Sequence, residues 1–281
     1  MKHLLLLILS LLSSFSSAQI VTSIKPLMLI TQAVTQGIEQ PVQLLPTGMS
    51  AHHYSLKPSQ RIMLQKADLV IWVGASHEAF LSESLKKLPH VIRFDALANV
   101  QKRAWRDLNT RQPQANTLDG HLWLDPQNAI QLAYQIAQIR GQQRPSYAAQ
   151  YQKNAQVFAQ KVNLQSQQFK QQFARLNHRN YVAYHDAYQY LEDALGLNFK
   201  GSIGISPEQK PSAKHLLQLK QQVQQYQWYC LLTEPQFDKS LADKVFGTTG
   251  RYTMVDETFS QANSYEQGFK QMADAIYSCL K

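Results

Sequence analysis

Of the nine histidines in the chain, four stand where chemistry could be done. His52 and His53 are adjacent in TGMSAHHYSLKPSQ (47–60), His121 lies in LDGHLWLDP, and His185 lies in YVAYHDAYQYL. Each sits where a strand, or the loop after it, passes toward a helix. Imidazole nitrogen suits the borderline-soft Zn²⁺ ion. Three such rings gathered outside the carboxyl ends of strands would make a metal site. Adjacent residues point in different directions, so one of His52 and His53 would serve, and spacing does not choose between them. The intervals are long, and no HExxH or CxxC pattern pins the geometry. His90, His178 and His215 are expected at the surface or in loops. His77, after LVIWVG, is expected in a loop near the possible site.

These rings need elements to position them. Ile20–Ile24, PVQLLP, Leu69–Val73 and HVIRF read as strands, with a helix opening at Pro26 and another in SQRIMLQK that Ser59 would cap. A polar stretch without periodicity, about 98–120, precedes a helix with Asp125 as cap and Pro126 at its first position. From about Ser146 to Leu176 the pattern stays helical, with Tyr151, Ala155, Phe158, Val162, Phe169, Phe173 and Leu176 at three- and four-residue steps. That stripe is packing. YVAYH, WYCLLTE and YTMVD then read as strands, with a helix through Leu195 and a last helix ending at Cys279. Alternating strands and helices imply parallel sheets. The expected fold is α/β: two lobes, each with a mostly parallel sheet flanked by helices, joined by one long rigid linking helix. The divisions are a signal peptide (1–18), an N-terminal lobe (19–145), the linking helix (146–176) and a C-terminal lobe (177–281). No internal repeat is evident.

The first eighteen residues have a charged start at Lys2, an apolar run from Leu4 to Leu12 and a small-residue cleavage site at Ser16-Ser17-Ala18, which is the pattern of a secretory signal. Cleavage would leave Gln19 first. No cysteine follows the cleavage site, so no lipid anchor is expected, and the mature protein is expected in the periplasm. The chain is basic, net +9, but its Lys and Arg are scattered and an exported protein rarely meets nucleic acid. The densest patch, Lys102, Arg103, Arg106 and Arg111, is expected to be solvated. The only two cysteines, Cys230 and Cys279, are expected to form a structural disulfide in an oxidising compartment.

TSIKPLMLI, LLPTGMSAHHYSLKPSQ, ADLVIWVG, HLWLDP, YHDAYQYLE and EPQF together resemble, in order, the solute-binding proteins of bacterial zinc ABC importers, the ZnuA type of the cluster A-I metal receptors. The resemblance covers essentially the whole mature chain. It implies a two-lobed receptor that holds one Zn²⁺ in the cleft and delivers it to a membrane permease, without catalysis and as a monomer. It assigns the ligand of the pair to His52, the first residue of H-x-Y-x-L-x-P, and leaves His53 as a neighbour. It assigns the other ligands to His121 and His185, and it puts an aspartate at Asp256. That residue is expected as fourth ligand or near neighbour, with water as rival and Glu78 and Glu208 as weaker candidates. Two features depart from the family. Ala51 stands where some relatives have a glutamate, and the stretch before His121 has no histidine-rich loop. The alternative function is a zinc hydrolase using a three-histidine zinc-water site.

Overall fold

The computed structural model describes residues 19–49, 51, 54–204, 211–228, 230–235, 239–247 and 250–281. His52, His53, Glu208 and the expected signal peptide lie outside them. The first lobe contains β1 (Ile20–Thr22), α1 (Lys25–Thr35), β2 (Val42–Gln43), α2 (Pro58–Lys66), β3 (Leu69–Trp72), α3 (Ser82–Leu85) and β4 (Val91–Arg93). Then come α4 (Pro126–Gln143) and α5 (Ala148–Phe173). The second lobe contains β5 (Asn180–His185), α6 (Gln189–Leu195), β6 (Asn198–Gly204), α7 (Ala213–Tyr226), β7 (Cys230–Thr233), α8 (Lys239–Phe246), β8 (Arg251–Met254) and α9 (Tyr265–Leu280).

The sheets have the orders β2-β1-β3-β4 and β6-β5-β7-β8, and every pairing is parallel. The two lobes therefore share one winding, a repeat of topology that the sequence does not show as a repeat of residues. Parallel strands covered on both faces read as unbroken apolar runs. Leu69, Val70, Ile71 and Trp72 are all buried in β3, as are Tyr181 to His185 in β5. In both sheets the strand order reverses beside the first strand, between β1 and β3 and between β5 and β7. Such reversal points open a crevice at the carboxyl ends of the strands.

The long helix forms over a shorter span than expected, with Leu176 beyond its end. α5 runs 26 residues and buries Tyr151, Ala155, Phe158, Ala159, Val162, Phe169 and Phe173, which gives a rod of about 39 Å. It packs along α4 and touches α1, α6 and α9, so it braces both lobes. Glu39 locks the first-lobe end of this brace. Its carboxylate accepts from Arg140 Nε at 2.8 Å, Arg140 Nη2 at 2.6 Å, Arg144 Nη1 at 3.2 Å and the Tyr151 hydroxyl at 2.6 Å. Cys230 and Cys279 form a disulfide with Cα atoms 5.4 Å apart, which ties α9 to β7. A loop of that length contributes about 4 kcal/mol in the chain-entropy picture.

Several local expectations change. Pro58 takes the first helical position of α2, so Lys57 rather than Ser59 is the cap, and Gln60 Oε1 accepts from the Lys57 N–H at 2.9 Å. Asp125 caps α4 as expected, accepting from Gln127 N at 2.8 Å. β6, with the sequence NFKGSIG, was not expected. It carries Lys200 and two glycines, and Gly201 has φ of +152° and leaves a Cβ only 3.0 Å from Leu219 Cδ1. His215 is buried, contrary to the surface expectation, with Nε2 donating to the Ser202 carbonyl at 2.7 Å. Of the basic patch, Lys102 is exposed as expected but the three arginines are not a free surface. Arg106 Nε donates to Asp186 Oδ2 at 2.7 Å and its Nη1 to Glu192 at 3.0 Å, Arg103 pairs with Asp193, and Arg111 Nη2 reaches Gln222 at 2.8 Å. All four partners belong to the second lobe.

Candidate metal centre

The crevices of the two sheets face a shared cavity of about 150 Å³, lined among others by Ile24, His77, His121, Trp123, His185, Glu234, Asp256 and Glu257. β5 delivers His185 at its last residue, where the strand has buried the side chain almost completely. β7 delivers Glu234 one residue past its end. His121 comes from the loop before α4 and opens a short 3₁₀ turn, Leu122–Leu124. That loop lies so close to the first lobe that a Cβ on Gly120 would come 2.5 Å from His77 Cβ. Glycine is the residue that permits the approach.

Both ligand-type histidines are fixed from behind. His121 Nδ1 is 2.6 Å from Asp119 Oδ1, and the same oxygen accepts the His121 backbone N–H at 3.0 Å. His185 Nδ1 is hydrogen-bonded to Glu234 Oε1. A carboxylate facing Nδ1 holds the proton there and leaves the Nε2 lone pair for a metal. The two Nε2 atoms point at each other, 3.5 Å apart. Two nitrogens bound tetrahedrally at 2.0–2.1 Å sit about 3.3 Å apart, so the pair already has nearly the bite of a zinc chelate.

The surrounding charges are shifted by burial and by one another. Burial works against a charge on His185, but the Glu234 carboxylate and its hydrogen bond outweigh it and raise the imidazole to about 9. Burial, with Glu234 adding its repulsion, raises Glu257 to about 8. Asp119 is raised to about 6, again by burial. A proton on His185 Nε2 would sit where a cation between the two rings would sit.

Among the described residues no group of three His, Cys, Asp or Glu side chains encloses a common point. His121 and His185 are brought together, and His52 lies outside the description. Asp256 lines the cavity, but its oxygens serve its own loop. Oδ1 accepts from Thr258 N at 3.0 Å and Oγ1 at 2.6 Å, and Oδ2 accepts from Ser260 N at 2.7 Å and Oγ at 2.6 Å. Glu78 turns away and accepts the Val73 N–H at 2.7 Å inside the first lobe. His77 is buried against the site, its ring 5.1 Å from that of His121 and 5.0 Å from that of Trp123.

Three carboxylates were not singled out from the sequence. Asp119 could have been noticed from its Asp-x-His spacing. Glu234 is 49 residues from the histidine it serves, and no local pattern records that pairing. Glu257 is part-exposed as a residue, yet its Oε2 is shut off from solvent without a hydrogen-bond partner among the described residues. Its backbone carbonyl accepts the Trp123 indole N–H at 2.7 Å, which holds this loop against the His121 turn.

Two parallel α/β lobes braced by a long helix, with imidazoles from each converging on the crevice between them, define a two-lobed metal-binding receptor of the solute-binding class. The model of the family described as zinc-uptake complex component A, periplasmic, matches residues 20–279, and the chain belongs to that family. It is 31% identical over 296 residues to the high-affinity zinc uptake system protein ZnuA of Haemophilus ducreyi, covering 95% of each chain. It is 29% identical over 304 residues to the protein of that name from Brucella abortus, covering 93% of this chain and 91% of the relative. Its fold matches that of a Zn(II)-bound variant of AdcAII from Streptococcus pneumoniae, at TM-score 0.81 and 23% identity over 94% of this chain and 99% of that one. It also matches the laminin-binding protein Lmb of Streptococcus agalactiae, at TM-score 0.81 and 21% identity over 94% and 100%.

Proposed function

We propose that this chain captures one Zn²⁺ between its lobes and hands it to the membrane permease of a zinc importer. The observation that carries the site is the facing pair of Nε2 atoms 3.5 Å apart, each ring backed by a carboxylate on Nδ1. His121 and His185 bind the ion through these atoms, and His52 supplies the third nitrogen, with His53 beside it. Three neutral imidazoles leave the whole +2 charge in a buried place, and a carboxylate ligand offsets part of it. With the oxygens of Asp256 spent on Thr258 and Ser260, that residue serves as the near neighbour that shapes the turn. Glu257, whose Oε2 is buried and unpartnered among the described residues, supplies the fourth ligand. Burial and the nearby Glu234 raise its carboxyl, which fits a place prepared for a cation.

Residues 1–18 act as an export signal, and the mature protein works in the periplasm as a monomer. Among the described residues no helix is long and apolar enough to cross a membrane. The lobes divide at the long helix. A component of an uptake complex binds its ion stoichiometrically and releases it unchanged, and the family gives the hydrolase alternative no support. Zinc titration of Glu257→Gln and Asp256→Asn tests the ligand assignment. Glu257→Gln, which removes the charge but keeps a ligating oxygen, should weaken binding roughly 10- to 100-fold, less than the loss of a histidine ligand. Asp256→Asn should act less strongly, since an amide can retain some of the turn's hydrogen bonds. The reverse ranking would return the fourth place to Asp256.

A further inference from the structure

The stretch between β4 and α4 belongs by sequence to the first lobe, yet its polar contacts reach the second. It folds back on itself as a short loop, with an antiparallel bridge between Arg106 and Pro113. The Arg106 guanidinium is mostly buried, forks onto Asp186 and Glu192, and lies 3.8 Å above the ring of Phe199. Gln189, at the start of α6, donates from Nε2 to Asp119 Oδ2 at 2.5 Å and to the Ala104 carbonyl at 3.1 Å. Asp119 is fully buried. Its other oxygen is the one that holds His121 Nδ1 at 2.6 Å.

The aim of a first-lobe metal ligand is thus set partly by a second-lobe amide. Arg106 adds a second polar tie between the lobes through Asp186 and Glu192. We infer that this segment is an interlobe clasp, and that Gln189 is a positioning residue which orients His121 across the cleft through Asp119. Without the amide, Asp119 keeps a buried oxygen with no donor and can turn toward water or toward other groups. His121 Nε2 then loses its fixed direction toward His185. A carboxylate that orients a ligand histidine changes metal affinity by about 10- to 100-fold when it is disturbed. One residue further out, the effect should fall on how long zinc is held.

The inference rests on zinc capture at His121 and His185, and the test separates the two. Zinc release into a chelator is followed for the full chain and for Gln189→Met, which keeps the volume of the side chain and removes its amide. The hydrogen-bonded Nδ1–H resonance of His121 is followed by NMR in the metal-free proteins. Gln189→Met should release zinc about 10-fold faster and lose or broaden that resonance. Gln189→Asn, which withdraws the amide by one methylene and stays polar, should move both readouts in the same direction and covers the case of a misfolded Met variant. Arg111→Gln cuts the clasp away from His121 and should leave release within about twofold of the parent. Equal release from the Gln189 variants and the parent would overturn the inference, as would equal acceleration in Arg111→Gln, the sign of general loosening. A parent chain that binds no zinc would instead sink the zinc reading itself.

Discussion

His185 carries the chemistry of this site in two forms. In the metal-free protein Glu234 holds its imidazole up near 9, against the pull of burial. Raised in this way, the ring holds a proton more tightly than a free imidazole, and in the proposed zinc capture that proton competes with the ion for Nε2. The sign follows directly. Below about pH 9 protons compete for the ligand, so affinity rises with pH and levels off above that value. Glu257, raised to about 8, works in the same direction. Calorimetry at pH 7 in buffers of differing ionisation enthalpy should record about one proton or more released per zinc bound. Release of none would mean that both rings are already neutral. At this scale the sequence disclosed the nitrogens but not their supports. His121 and His185 stand at strand-to-helix junctions that can be recognised locally. Glu234 and Gln189 reach their partners across 49 and 70 residues, so only the fold reveals their roles.

Among the elements, the long helix was the most legible, because a buried stripe at three- and four-residue steps without Gly or Pro reads as one helix or two shorter ones, and the structure shows one. β6 was the least legible. A strand that runs Asn-Phe-Lys-Gly-Ser-Ile-Gly lacks clear alternation and has a single β-branched residue, Ile203, and its place is set by pairing with β5 rather than by propensity. The polar loop after β4 was misread for a related reason. Its arginines carry the composition of a solvated surface, and their acceptors lie in another lobe. The brace between α1, α4 and α5 depends on one buried anion with a buried cation beside it. Glu39→Ala would leave Arg140, 1% exposed, as an uncompensated charge. It should lower unfolding stability by about 3–5 kcal/mol in urea denaturation. A loss below about 1 kcal/mol would show that the brace holds without this pair.

At the scale of the whole molecule, two sheets with the same winding present their reversal points to one cavity, and the pieces that join them are stiff. α5 braces both lobes, and the clasp crosses near the cleft. Zinc capture should therefore move loops and side chains, with the lobes nearly fixed. Solution scattering of the mature protein with and without Zn²⁺ should give superimposable profiles, and a clear compaction on binding would show that the lobes close as bodies. The shared winding was hidden in the sequence because equal strand order needs no equal residues. It nevertheless explains why both halves line the same cavity.

The most direct measurement is zinc titration of the mature protein beside His52→Ala, His53→Ala, His121→Ala and His185→Ala. One ion per chain is expected for the parent and for His53→Ala. Binding weakened more than about 100-fold is expected for the other three, since each removes a ligand rather than a ligand's support. Parent-like binding by His121→Ala and His185→Ala would contradict the claim that the two facing imidazoles hold the ion.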